Sequence, residues 1–132
     1  MNSMYSPQLL DHFQNPRNAG DLPDADAVVE IENPVCGDVI RLSLKLEKDQ
    51  TLDVRFKAKG CVPAMACGSA LTELARGKTM QDARKLRRDD LTAAVGGLPQ
   101  ASAHAAQLAL DALSAALAKI DSAASKSLSQ GN

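Results

Sequence analysis

Two neighbouring segments alternate apolar and polar residues, and they constrain the fold of this chain more than any other feature. Val39 to Glu47 and Thr51 to Lys59 each place an apolar side chain at every second position, the period of a strand with one buried face. The polar stretch Lys48-Asp49-Gln50 between them predicts a hairpin. Bringing the two apolar faces together selects one register. The predicted pairs are Leu46 with Leu52, Leu44 with Val54, Leu42 with Phe56 and Ile40 with Ala58.

The same register gathers residues that carry chemistry at the open end of the hairpin. It places Asp38 opposite Gly60 and Gly37 opposite Cys61. Cys36 and Cys61, which are far apart in the sequence, are thereby predicted to be neighbours. The pattern therefore predicts two thiols and one carboxylate at the same corner of the sheet.

A helix is predicted to begin just after the second of these thiols. Pro63 to Arg76 has proline at an early helical position and is followed by Gly77 as a C-terminal stop, which is the usual asymmetry of helix ends. Cys61 then lies immediately before a helix N-terminus. There the backbone N–H groups and the helix dipole favour the thiolate form, which binds metals and attacks sulfur.

The other segments predict one more strand, four more helices and an α+β fold. The strand is expected from Ala27 to Glu32. The helices are expected at residues 7–13, 79–86, 89–95 and 100–120, the last with an apolar stripe among many alanines. This order indicates a small three-stranded antiparallel sheet covered by helices on one face. We expect a single domain over residues 1–120 and a frayed tail over residues 121–132.

Composition narrows the class of protein. The 132 residues suffice for one hydrophobic core. The net charge of −1 and the absence of tryptophan argue against nucleic-acid binding, which uses basic patches and aromatic platforms. No apolar run reaches the ~20 residues that span a bilayer, and the N-terminus lacks signal-peptide features, so we expect a cytoplasmic protein that does not enter the membrane. Three cysteines, an odd number in a reducing compartment, favour metal or sulfur chemistry over disulfides.

Taken alone, Cys36, Asp38 and Cys61 permit two interpretations. Thiolate sulfur suits zinc and iron–sulfur clusters, and an adjacent carboxylate makes a site that holds metal less permanently than a full set of cysteines. A pair of structural thiols is equally compatible with these residues. The residues by themselves leave the choice open.

Seven segments resemble, in order, the signatures of the iron–sulfur cluster scaffold family that includes IscU and the NifU N-terminal domain. They are Tyr5-Ser6, Asp11 to Gly20, Cys36-Gly37-Asp38, Arg55-Phe56-Lys57, Gly60-Cys61, Thr72-Glu73 and Gly77-Lys78-Thr79. The short segment between Gly77 and Pro99 resembles the IscU branch more than the SufU branch. The resemblance implies a scaffold, not an enzyme, that accepts sulfur from a cysteine desulfurase, assembles a [2Fe–2S] cluster and passes it to recipient apo iron–sulfur proteins.

The ligand positions that the resemblance implies are only partly filled in this chain. The family holds its cluster with three cysteines and an aspartate, and Cys36, Asp38 and Cys61 match three of those positions. His104-Ala105 stands where the remaining cysteine is expected. His104 is then either the fourth member of a zinc or iron site or a surface histidine.

Three further features are interpreted alongside the resemblance. Cys67 shares an apolar helix stripe with Leu71 and Leu74, which favours a buried core thiol over a substitute ligand. His12, far in sequence from the cysteines, is interpreted as structural. The family's Leu-Pro-Pro-Val-Lys chaperone-docking stretch is reduced to Leu98-Pro99-Gln100-Ala101-Ser102, which makes chaperone docking doubtful.

Three functions stay open at this point. The first is a scaffold or carrier that binds iron or a [2Fe–2S] cluster through Cys36, Asp38, Cys61 and His104. The second is a zinc-bound acceptor of persulfide sulfur, and the third is an interaction module that has lost cluster chemistry. We expect a monomer or weak homodimer, and a dimer sharing one cluster between two copies would supply the absent ligand.

Overall fold

The computed structural model describes residues 5–34 and 37–130, with side chains through residue 123. The strands are β1, Ala27–Asn33, β2, Asp38–Leu46, and β3, Leu52–Lys59. The α-helices are α1, Pro7–Gln14, α2, Val62–Ala75, α3, Met80–Ala83, α4, Arg88–Ala94, and α5, Ala103–Gln130, the last preceded by a 3₁₀ turn at Gln100–Ser102. The strands form one antiparallel sheet in the order β1-β2-β3, and helices cover one of its faces. The predicted α+β fold is confirmed.

The hairpin between β2 and β3 has the predicted register. All four predicted pairs are present, from Leu46 with Leu52 to Ile40 with Ala58. At its closed end Gln50 adopts a positive φ of 72°, and the carboxylate of Asp49 accepts hydrogen bonds from the N–H and hydroxyl of Thr51. At its open end the ladder reaches Val39 paired with Lys59, so the next positions along it are Asp38 and Gly60, as predicted.

Helices α2 and α5 pack closely on the sheet because small residues line their contact faces. A Cβ on Gly68 of α2 would lie only 2.7 Å from the Phe56 ring, so the glycine lets the helix approach β3. Helix α5 buries a series of alanines against the sheet and α2. They include Ala105, Ala106, Ala109, Ala112 and Ala116. Close packing therefore fixes the start of α5 relative to the open end of the hairpin.

Helix α1 is held against α2 by a buried histidine. Ser6 caps this helix by accepting a hydrogen bond from the Leu9 N–H at 2.9 Å. His12 is buried, with Nδ1 2.8 Å from Ser69 Oγ and Nε2 3.4 Å from Glu73 Oε1. Burial lowers the pKa of His12 below its ordinary value. These contacts agree with the structural role predicted for it.

Two helices differ in length from the prediction. Helix α3 ends at Ala83, not at Leu86, because Leu86 N–H bonds the Ala83 carbonyl three residues back and so closes a turn. Helix α5 continues to Gln130, past the predicted end at Ile120, since its alanine-rich sequence contains no helix breaker there. The domain limits and the fraying of residues 121–132 stay predictions. No helix in the described ranges is both long and apolar enough to cross a bilayer.

Candidate metal and sulfur site

Three of the four predicted ligands meet at the open end of the hairpin. Asp38 begins β2, Cys61 immediately precedes α2, and His104 lies in the first turn of α5. One ligand atom from each of these side chains lies within 4.8 Å of the others. Cys36, the fourth predicted ligand, lies outside the described residues. Three separate elements therefore deliver a carboxylate, a thiol and an imidazole to one point.

The Cys61 thiol occupies the N-cap position of α2. Its Sγ accepts a hydrogen bond from the Ala64 N–H at 3.4 Å. Pro63 lies in the first turn of the helix, where proline is tolerated because no intrahelical N–H bond is lost. The helix dipole and the capping N–H both stabilise negative charge on sulfur. Cys61 is only half-buried, so its sulfur is accessible to a metal or a sulfur donor.

The Asp38 carboxylate is buried between the other two groups. Its Oδ1 accepts a hydrogen bond from the Cys61 N–H at 2.9 Å. Its Oδ2 lies 3.2 Å from Cys61 Sγ, where the protonated thiol donates, and 3.5 Å from His104 Nε2. A carboxylate that is 1% exposed is stable in such a place only because polar partners replace its water.

His104 forms the outer wall of the site. About a third of its side chain, 35%, is exposed, and Nε2 faces the Asp38 carboxylate. A neutral imidazole in this position can bind a metal through one ring nitrogen. The structure thus places His104 with the predicted ligands and not on a remote surface.

Cys67 and Ala105, the two positions that could compensate for the expected third cysteine, both lie in the core. Cys67 is fully buried, and burial raises the pKa of its thiol to about 12. A thiol that stays protonated is a poor ligand and a poor nucleophile. The methyl group of Ala105 is also buried. Neither side chain therefore replaces the expected cysteine at the described site.

A cavity of about 250 Å³ opens beside the three ligands. Its lining also includes Tyr5, Gly60, Pro63 and Ser102. Sequence reasoning did not identify Tyr5 or Ser102 as neighbours of the site, although Tyr5 belongs to one of the motifs used for the resemblance. A single water takes up about 30 Å³ in the liquid, so the cavity has room for a metal ion together with further ligand atoms.

Comparisons with known proteins agree with the resemblance. A family model described as the NifU-like N-terminal domain matches residues 4–126. The chain is 46% identical over 114 residues to the iron-sulfur cluster assembly scaffold protein IscU 1 of Archaeoglobus fulgidus, covering 86% of this chain and 74% of that protein. It is 43% identical over 119 residues to the iron-sulfur cluster assembly scaffold protein IscU of Aquifex aeolicus, covering 89% and 76%. Its fold resembles the N-terminal part of a NifU-like protein from Brucella abortus, with a TM-score of 0.70, 21% identity and coverage of 90% and 95%.

Proposed function

Because this chain belongs to the family of NifU-like N-terminal domains, we propose that it is a scaffold for iron–sulfur cluster assembly, with cargo bound at Cys36, Asp38, Cys61 and His104. One distance supports the site most directly: ligand atoms of Asp38, Cys61 and His104 lie within 4.8 Å of one another. Metal-binding side chains must meet in this way, whereas isolated polar residues need not. The names of the relatives also favour a scaffold over a zinc-bound sulfur acceptor or a degenerate interaction module.

The cargo is iron or a [2Fe–2S] cluster. Cys36 and Cys61 supply thiolates, and Asp38 and His104 supply one oxygen and one nitrogen. Four ligands are enough for a [2Fe–2S] cluster with two protein ligands on each iron. Carboxylate and imidazole bind iron less strongly than thiolate does, so we expect this chain to release its cluster more readily than a scaffold with three cysteines. Zinc fits the same ligand types and is a competing occupant.

Sulfur reaches the site through the Cys61 thiolate. A cysteine desulfurase carrying a persulfide presents its outer sulfur, the Cys61 thiolate attacks that sulfur, and the desulfurase thiolate leaves. The new S–S bond thus replaces the old one without any oxidant. The N–H groups at the start of α2 favour the attacking thiolate. Recipient apo iron–sulfur proteins then take the finished cluster, and the chain itself has no separate catalytic activity.

Anaerobic reconstitution with ferrous iron, sulfide and a reducing agent tests the proposal. The wild-type protein should bind iron and show the visible charge-transfer absorption of thiolate-bound iron. Cys61→Ser should lose most of that absorption, whereas Cys67→Ala, a matched change of a cysteine in the core, should retain it. Wild-type protein that stays colourless and binds no iron would overturn the proposed function.

A further inference from the structure

Gly60 directly precedes the Cys61 ligand and has no room for a side chain. A Cβ built on it would overlap Asp38 Oδ1 and would lie 2.8 Å from Asp38 Cγ and 2.9 Å from Asp38 Cα. All three of its nearest neighbours are therefore atoms of one residue, the buried carboxylate of the site. Real Cβ atoms essentially never approach another heavy atom within 3.0 Å.

We infer that Gly60 is a positioning residue of the site, whose missing side chain leaves the space that the Asp38 carboxylate occupies. The inference rests on the proposed function, because it concerns the same ligands. Asp38 uses that space to accept the Cys61 N–H while its other oxygen faces the thiol and His104. Rotation of the carboxylate alone cannot relieve the overlap, because the Asp38 Cα is also too close.

The backbone conformation alone does not account for glycine at this position. Gly60 has a φ of +133°, and Gly20 has a similar φ of +119°, yet a Cβ on Gly20 would meet nothing within 4 Å. Alanine at either position strains the backbone, but only at Gly60 does it also collide with a ligand. Gly20→Ala is therefore a matched control that separates backbone strain from displacement of Asp38.

A single methyl group at Gly60 should thus disrupt the site without removing any ligand. Asp38 is buried at 1% exposure, so its side chain cannot move freely into solvent. The start of β2 and the start of α2 must separate, and the Asp38 oxygens then move away from Cys61 and His104. Changes in residues that orient metal ligands lower metal affinity by about 10- to 100-fold.

Cobalt(II) titration of the full chain tests this inference, since the visible spectrum reports both tetrahedral geometry and thiolate ligation. Gly60→Ala should weaken cobalt binding at least about tenfold, while Gly20→Ala should bind as the wild type does. Asp38→Ala should also weaken binding, and adding Gly60→Ala to it should cost little more, because both changes remove the same contact. Equal cobalt affinity in Gly60→Ala and wild type would overturn the inference.

A second measurement needs no metal. The backbone N–H resonance of Cys61 should shift in Gly60→Ala towards its position in Asp38→Ala, because both variants lose the Asp38 bond, and it should stay in place in Gly20→Ala. An unshifted resonance in Gly60→Ala would refute the displacement of Asp38. Wild-type protein without a cobalt spectrum would count against the proposed function alone, since the resonance still tests the position of Asp38.

If Gly60→Ala alone does not fold, the double variant with Asp38→Ala decides. Asp38→Ala removes the overlapping Oδ1 and the Cγ, so the double variant should fold and recover most of the lost thermal stability. A double variant that is no more stable than Gly60→Ala would overturn the inference.

Discussion

Replacing Gly68 with alanine tests whether the close packing of α2 on the sheet limits stability. The new Cβ would lie 2.7 Å from Phe56 Cδ2, 2.8 Å from Phe56 Cε2 and 3.3 Å from Ile40 Cδ1. The first two distances are too short for real contacts, so the ring or the helix must move. Phe56 is only 3% exposed and lies within β3, which leaves its ring little free space.

Two effects of opposite sign decide the size of the change. Alanine is about 1 kcal/mol more favourable than glycine inside a helix. An extra methyl group in a well-packed core costs about 1–3 kcal/mol. Because the overlap involves two atoms of one confined ring, we expect the upper half of that range. The free energy of unfolding of Gly68→Ala should therefore fall by about 1–2 kcal/mol.

Urea unfolding of the metal-free protein, followed by circular dichroism, measures this change. The control is the same substitution in a Phe56→Leu background, where the smaller side chain makes room for the methyl group. In that background Gly68→Ala should cost less than in the wild type. A Gly68→Ala protein more stable than the wild type by the full helix propensity would refute the packing argument.

Three further predictions concern single side chains. The free energy of unfolding should fall as the pH drops below 6.5, the ordinary pKa of His12, because burial lowers the folded pKa and the unfolded chain binds the proton first; pH-dependent urea unfolding should show a smaller slope for His12→Gln. Iodoacetamide should modify Cys61 in the native protein and Cys67 only after unfolding, as mass spectrometry would show, since Cys67 is fully buried with a pKa of about 12. His104→Ala should lower cobalt affinity by at least about tenfold, whereas Gln107→Ala, an exposed change one turn further along α5, should leave it unchanged.

The register of the hairpin could be predicted from the sequence because it depends on a local pattern. Shifting either strand by one residue would turn Leu42 and Leu44 towards solvent, so the alternation permits one pairing, and that pairing is present. The positions of Asp38 and Cys61 follow from the same register. The helix after Cys61 follows from Pro63, which is favoured in a first turn.

The contact between His104 and Asp38 could not be derived from local patterns. Periodicity indicates which face of α5 is buried, but not where its first turn lies relative to the sheet. Only the resemblance suggested His104 as a ligand. The role of Gly60 was missed for a related reason, since its constraint appears only when the position of the Asp38 carboxylate is known.

The three described ligands lie on three different elements, which links cargo retention to the cohesion of the whole domain. No short peptide cut from this chain would contain Asp38, Cys61 and His104 together, so an unfolded chain cannot chelate as the native one does. Bound iron should therefore raise the melting temperature. By the same reciprocity, a partner that detaches the first turn of α5 would discharge the cargo without touching a sulfur atom.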